Sequence, residues 1–174
     1  MSAKPLLFVD DMESPIGPLT ILSSQNGVCQ IVFGSKNDVC SSLKQWARKY
    51  FLSCGMEENP ERIKAVTFQL EEYFSGDRTD FTFPIDLQGT PFQKRVWKSL
   101  LTIPYGETRS YKEIAQMIHS PKAARAVGGA INRNPIAIAV PCHRVIGSNG
   151  SLVGYNGGLD KKRFLLQLEN IPAE

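Results

Sequence analysis

The chain has 174 residues, 42% of them apolar and 21% charged. That is the make-up of a soluble globular protein with room for one domain or two small ones. No stretch is apolar over the length of a membrane span, so a membrane partner is not expected. The net charge of +3 is unevenly spread. Residues 1–86 carry 8 Lys/Arg and 12 Asp/Glu, a balance of −4, while residues 87–174 carry 12 and 5, a balance of +7. Such asymmetry points to one half that meets a polyanion, although two ordinary solvated surfaces would give the same balance.

The opening "MSAKPLLFVDDMESP" has a short apolar run followed at once by acids. It lacks the pattern of a secretory signal, and an intracellular location is expected, cytoplasmic or, in a eukaryote, nuclear. Four cysteines, Cys29, Cys40, Cys54 and Cys142, form no C-x-x-C pair. Disulfides are therefore not expected. The two histidines, His119 and His143, show no metal-ligand spacing, so neither a metal nor a cofactor is expected.

Three strand-like pieces come first: "LLFVD", "LTILSS" and "VCQIVF", separated by the turn signals "SPIG" and "QNG". A helix is predicted over residues 39–51. Another begins at "NPERIKAVTFQLEEYFSG", with Asn59 as cap, Pro60 at its first position and Gly76 at its end. Ile63, Val66, Leu70, Tyr73 and Phe74 share one face. "FTFPIDL" reads as a strand or a linker. No catalytic constellation stands out in this half.

The second half reads as short capped helices. "TPFQKRVWKSLL" has Thr90 as cap, and Phe92, Val96, Trp97, Leu100 and Leu101 form its apolar stripe. "IPYGETR" is a turn. "SYKEIAQMI" has Ser110 and Glu113 in capping-box spacing. "SPKAARAVGGAI" starts at Ser120 and Pro121, so two short helices are joined by about three residues, His119 included. This is the form of a helix-turn-helix. The second helix is built from Ala123, Ala124, Ala126, Gly128, Gly129 and Ala130 around one long cation, Arg125. Small residues admit close approach of either a packed helix or a nucleic-acid groove. Few side chains there could read base edges, so contact by shape, in the narrower minor groove, is the expectation for the second case.

"IAIAVPCHRVIG" raises the chemical question. "IAIAV" is predicted to be a buried strand, and Pro141 should turn the chain at its end. Cys142 would then be presented at a strand terminus. In an extended chain Cys142 and His143 would point to opposite faces, so a water relay between them is plausible. A free thiol has a pKa of about 8.5 and needs a base or positive surroundings to react. His143, Arg144, Lys161, Lys162 and Arg163 are the candidates. An imidazole base would need an orienting carboxylate, and Glu169 lies on the last predicted helix, "LDKKRFLLQLEN".

"PCHRVI" followed by "GSNGSLVGYNGGLDKKRFLLQLE", with "TPFQKRVWKSLLTIPYGETRSYKEIA" and "SPKAARAVGGAINRNP" upstream, strongly resembles the O6-alkylguanine-DNA alkyltransferases. The resemblance covers residues 90–169. It implies an α/β N-terminal domain of RNase H-like type over residues 1–86, and a mostly helical DNA-binding and alkyl-acceptor domain with a winged-helix-like helix-turn-helix over residues 87–174. It implies that Cys142 attacks the alkyl carbon on O6 of a guanine flipped out of double-stranded DNA. His143 would take the thiol proton through a water, Glu169 would orient His143, Tyr111 would protonate the departing guanine, and Lys162 would organise the site. Asn134 would be the hinge behind the cysteine. Val145, Tyr155, Asn156 and Gly157 would line the pocket. Arg125 would fill the gap left by the flipped base, with Gln93, Lys112, Ser120, Ser148, Ala123, Ala124 and Gly128 near the DNA. Asn156 stands where a small residue is common, and Asn132 where some members carry a cation. A thioether cannot be hydrolysed like a thioester, so a monomer acting once, without cofactor, is expected. O4-alkylthymine remains open as a second substrate. The rival readings are a non-catalytic lesion sensor, against which the presence of Cys142 speaks, and a cysteine hydrolase, which would turn over.

Overall fold

A computed structural model describes residues 6–52 and 55–173; Cys54 lies outside them. The chain divides into two compact units, Met1–Gln88 and Gly89–Glu174. Among the described residues no helix is long and apolar enough to cross a membrane.

The first unit is a four-stranded sheet with two helices. Its strands are β1 (Leu6–Met12), β2 (Leu19–Ser23), β3 (Val28–Phe33) and β4 (Gly55–Glu58), in the order β3-β2-β1-β4. β1, β2 and β3 form an antiparallel meander, and β4 runs parallel to β1. The first three were legible as apolar runs between turns. β4 was not: its sequence, "GMEE", is almost wholly exposed and has no apolar alternation to betray it. Helix α1 (Lys36–Phe51) begins three residues before the predicted start. Ser35 caps it and Asp38 closes the capping box, which satisfies the free N–H groups of the first turn. Helix α2 (Pro60–Phe74) follows Asn59 and Pro60 as expected, and buries Ile63, Val66, Leu70 and Tyr73. Leu7 and Val9 of β1 pack with Leu22, Cys29, Leu43 and Ala47 in one core cluster.

"FTFPIDL" is irregular, apart from a single bridge between Ile85 and Val28. The Val28 N–H donates to Pro84 O at 2.9 Å, and the Asp86 N–H donates to Val28 O at 2.7 Å. Gly27 is required here: a Cβ on it would lie 2.6 Å from the Pro84 carbonyl oxygen. Pro84 has no N–H to extend the ladder beyond this bridge.

The second unit is helical: α3 (Pro91–Leu100), α4 (Tyr111–Met117), α5 (Ala124–Asn132) and α6 (Leu159–Leu168). Two short strands, β5 (Arg109–Ser110) and β6 (Val145–Ile146), pair in parallel. The capping box read from the sequence is formed at α4 by Ser110 with Glu113, and the cap expected at Thr90 is completed into a second box at α3 by Gln93. Trp97 anchors α3 to α5 by donating its indole N–H to Ala130 O at 2.9 Å. α5 starts later than predicted. Residues 121–123 form a turn, and Ala123 is an N-cap with no side-chain hydrogen bond. The connection between α4 and α5 is thus residues 118–123, and His119 occupies the left-handed region within it, at φ 60°.

Candidate alkyl-acceptor site

The largest departure from the sequence reading lies beside the cysteine. "IAIAV" is not a strand. Residues 137–139 are a turn, between a lone bridge residue at Ile136 and a bend at Val140, and all but Ala139 of the five are buried, with Ile138 at φ 72°. A short apolar run does not by itself distinguish a strand from any other buried segment. Asn134 decides the outcome. Its Oδ1 accepts from the Ile136 N–H at 3.0 Å, and its Nδ2 donates to Val140 O at 2.8 Å. One amide therefore closes both ends of the loop. The same Nδ2 donates to Cys142 Sγ at 3.1 Å.

Cys142 opens a one-turn 3₁₀ helix, Cys142–Arg144, with Pro141 before it. In that geometry successive side chains fan out by roughly a third of a turn. Cys142 meets Asn134, His143 turns to Glu169, and Arg144 turns to Glu169 and the turn at Ile103. The expected separation of Cys142 from His143 is thus observed, but it arises from a helical turn and not from strand alternation.

Glu169 is the C-cap of α6 rather than a residue within it. Its Oε2 lies 2.6 Å from His143 Nε2, with both side chains fully buried. A carboxylate only accepts, so Nε2 carries the proton in that bond. His143 Nδ1 is then the free lone pair, buried and without a hydrogen-bond partner among the described residues. Burial, opposed by Glu169, holds the His143 pKa below its ordinary value, and Arg144 and Lys162 add to the lowering. For Glu169, burial alone would raise the pKa; His143 and Arg144 overcome it and bring the carboxyl down to about 2. The pair at rest is therefore neutral imidazole and carboxylate.

The thiol is not ionised by its surroundings. Burial raises the Cys142 pKa, while the Asn134 hydrogen bond and the Lys162 charge pull only partly the other way. Cys142 needs a base, and the next residue in the chain, His143, has an unprotonated ring nitrogen, Nδ1. Lys162 is a buried cation whose pKa burial brings down to about 8. Its Nζ donates to Val153 O at 3.0 Å and Gly154 O at 3.2 Å. The Tyr111 hydroxyl donates to the same Val153 carbonyl at 2.8 Å. The loop that carries Tyr155, Asn156 and Gly157 is thereby tied to the N-terminus of α4 and to α6. Burial pushes the Tyr155 phenol well above its usual pKa, with Cys142 and Glu169 contributing. Val145 is fully buried at the start of β6, and Asn156 is exposed.

Of the other cations proposed for the thiol, Arg144 belongs to the carboxylate, and Arg163 pairs with Asp160 at 3.4 Å. Neither is among the groups that shift Cys142. On the surface, Arg125, Lys112 and Ser148 are exposed. Gly128 faces the Tyr111 ring, where a Cβ would sit 3.8 Å from the ring edge, whereas one on Gly129 would meet nothing. The Gln93 side chain is committed to the α3 capping box, and Ser120 lies 3.4 Å from an Arg95 nitrogen. Among the described residues no group of three His, Cys, Asp or Glu could hold a metal ion.

Two family models match in succession. Residues 9–87 match the 6-O-methylguanine DNA methyltransferase ribonuclease-like domain, and residues 91–171 match the DNA-binding domain of the same family. The chain belongs to the 6-O-methylguanine DNA methyltransferase family. Among this methyltransferase's relatives, the methylated-DNA–protein-cysteine methyltransferase of Mycobacterium tuberculosis is 49% identical over 163 residues, 93% of this chain and 92% of the relative. The Methanosarcina barkeri protein of the same name is 47% identical over 163 residues, 94% and 97% of the two chains. A crystal structure of M. tuberculosis O6-methylguanine methyltransferase superposes with a TM-score of 0.77 at 44% identity, covering 94% of this chain and 92% of that one. A structure of the M. tuberculosis protein in complex with DNA gives 0.76 at 46% identity, with the same coverage. The methyltransferase fold thus has the expected two parts: a ribonuclease-like sheet domain, then a helical one.

Three site features escaped the sequence reading: the Ile103 carbonyl, the Tyr105 ring and the Gly106 N–H, which together seat Arg144 and Glu169. Ile103 O accepts from Arg144 Nη1 at 2.7 Å, and the Gly106 N–H donates to Glu169 Oε1 at 3.2 Å. All belong to "IPYG", which the sequence marks only as a turn.

Proposed function

We propose that this methyltransferase moves the alkyl group of an O6-alkylguanine in double-stranded DNA onto Sγ of Cys142, once per molecule, as a monomer. The observation that carries the reading is that Asn134 and Lys162 both act on one buried thiol, with the buried His143–Glu169 pair beginning at the next residue, within the unit that holds the helix-turn-helix. The kinship with proteins named methylated-DNA–protein-cysteine methyltransferase supports the same chemistry.

In the reaction the C–O6 bond breaks as the S–C bond forms. The thiol proton passes through a water to His143 Nδ1, while Nε2–H stays on Glu169. The Lys162 charge favours the thiolate as it develops. Tyr111 supplies the proton that the departing guanine needs. Its hydroxyl bond to Val153 O must be exchanged for one to the base. The product is a thioether, which no group in the site can hydrolyse, so the protein is consumed. DNA is met by the basic unit. α5 presents Ala124 to the groove, Gly128 lets the helix approach Tyr111, and Arg125 fills the gap left by the flipped base. Flipping costs a few kcal/mol, and such a plug offsets part of it. Lys112, Ser120, Ser148, Gln93 and Ala123 lie around this surface as backbone contacts.

The test is the intact mass of the protein after mixing with a duplex containing O6-methylguanine. The wild type gains the mass of one methylene, and Cys142→Ser gains nothing. A mass gain in the serine variant overturns the assignment.

A further inference from the structure

We propose that Arg144, seated in the Ile103–Gly106 turn, is a positioning residue for alkyl transfer: it shares the Glu169 carboxylate with His143, so that His143 is oriented by a carboxylate without being protonated by it. The proposal rests on the reading of Cys142 as the alkyl acceptor.

The geometry is a closed arrangement. Arg144 Nε donates to Glu169 Oε1 at 2.7 Å, and Nη2 donates to Oε2 at 3.1 Å, the two-pronged fit of a guanidinium to a carboxylate. Nη1 donates to Ile103 O at 2.7 Å. The Gly106 N–H donates to Glu169 Oε1. The Tyr105 ring lies 5.8 Å from the guanidinium carbon, and its hydroxyl donates to Leu168 O at 3.2 Å. The turn therefore grips both the arginine and the end of α6 that carries Glu169. Arg144 is 7% exposed and Glu169 1%, so water screens their charges little.

The chemical consequence follows from charge. His143 feels Glu169, Arg144 and Lys162 of α6, and the Tyr155 phenol feels the same carboxylate and the Cys142 thiol. A buried carboxylate facing a buried imidazole with no other cation would draw a proton onto it. Both ring nitrogens would then be donors, and Nδ1 could accept nothing from the thiol. Arg144 supplies the positive charge in place of that proton. It also fixes the carboxylate plane, hence the Nε2 bond and the direction of Nδ1. Lysine could provide the charge but not the fork.

The test uses the fact that the chain has only two histidines. His119 is exposed in the α4–α5 connection and serves as an internal reference. Their ring signals are followed by NMR against pH in the wild type, Arg144→Met, Arg144→Lys and Arg144→Met/Glu169→Gln. Single-turnover methyl transfer from an O6-methylguanine duplex is measured over the same range. In Arg144→Met the His143 midpoint should rise by about one pH unit or more, a tenfold or greater gain in proton affinity. The acid limb of the transfer rate should move up with it, and much of the rate should return at high pH. Arg144→Lys should bring the titration back while restoring only part of the rate. In the double variant, with no carboxylate to attract the proton, the midpoint should fall again. If Arg144→Met is not folded, Glu169→Gln alone against the double variant reads the same field: loss of Arg144 must raise the His143 midpoint there too. An unchanged midpoint in folded protein, or a rate lost equally at every pH, overturns the proposal and leaves Arg144 a structural ion pair. A wild type that titrates as described but takes no methyl group on Cys142 overturns the alkyl-transfer reading instead.

Discussion

The two units bury different kinds of polar side chain. Among the described residues, those of the first unit are Thr20, Ser24, Gln30 and Gln69, all uncharged; those of the second are His143, Arg144, Lys162 and Glu169, all ionisable. Three of the four have a partner that explains them. Thr20 donates to Gly34 O, Ser24 to Asp86, and Gln69 holds Thr82 at two atoms. They secure turns and a passing segment. The charged four do something costlier. Buried ions lose hydration that mutual attraction recovers only in good geometry, and hydrophobic replacements of equal volume often stabilise a fold. Their clustering beside Cys142 is better explained by chemistry than by stability. The contrast extends to the cysteines. Cys29 is as buried as Cys142, yet its thiol donates to Leu22 O within an apolar cluster.

The sharpest break of that contrast is thiol replacement. Cys142→Ser should abolish alkyl acceptance, whereas Cys29→Ser should leave it intact in folded protein, as measured by methyl transfer from a labelled duplex. Next in size is loss of the base. His143→Ala and Glu169→Gln should each slow single-turnover transfer by about 10²–10⁴-fold with DNA affinity nearly unchanged in a binding titration. Their combined loss should be smaller than the product of the two, because they act as one unit. Tyr111→Phe acts on a different atom and should combine with either almost multiplicatively.

Core truncation in the first unit reverses the pattern. Leu70→Ala should cost about 2–5 kcal/mol in a denaturant titration and leave the transfer rate of the folded protein unchanged. The smallest effect is electrostatic. His143 and Glu169 both hold fewer protons folded than unfolded, since their pKa values lie below the ordinary 6.5 and 4.5. The unfolded chain therefore binds more protons on acidification, and stability falls as pH drops. The loss begins below about pH 6.5 with His143 and continues from 4.5 toward 2 with Glu169. Glu169→Gln should flatten the lower part of that curve in thermal melts.

The same two regions differ in what their sequences disclose. Local signals were legible at three helices: Asn59 with Pro60, Thr90, and Ser110 with Glu113 cap the helices they announce, whereas the Ser35 box of α1 passed unread and Ser120 with Pro121 does not start α5. Non-local ones were not. β4 exists because β1 offers it an edge, which its own four residues cannot express. "IAIAV" has strand composition, but the Asn134 amide makes it a loop. Cys142, His143 and Glu169 stood out through motif and residue type. The pairing of Arg144 with a carboxylate 25 positions away, and the part played by a plain "IPYG" turn, depend on how α6 returns to that turn, which no local pattern encodes.

The central claim is that one buried thiol, served by the charged cluster of the second unit, accepts one alkyl group and is not regenerated. The direct measurement mixes the protein with an excess of duplex labelled on the O6-methyl group, follows transfer to its end, and maps the label by peptide. The account predicts a plateau at one label per molecule, all of it on the peptide that carries Cys142. Label on the peptides of Cys29 or Cys40, or repair that continues past one lesion per molecule, would contradict it.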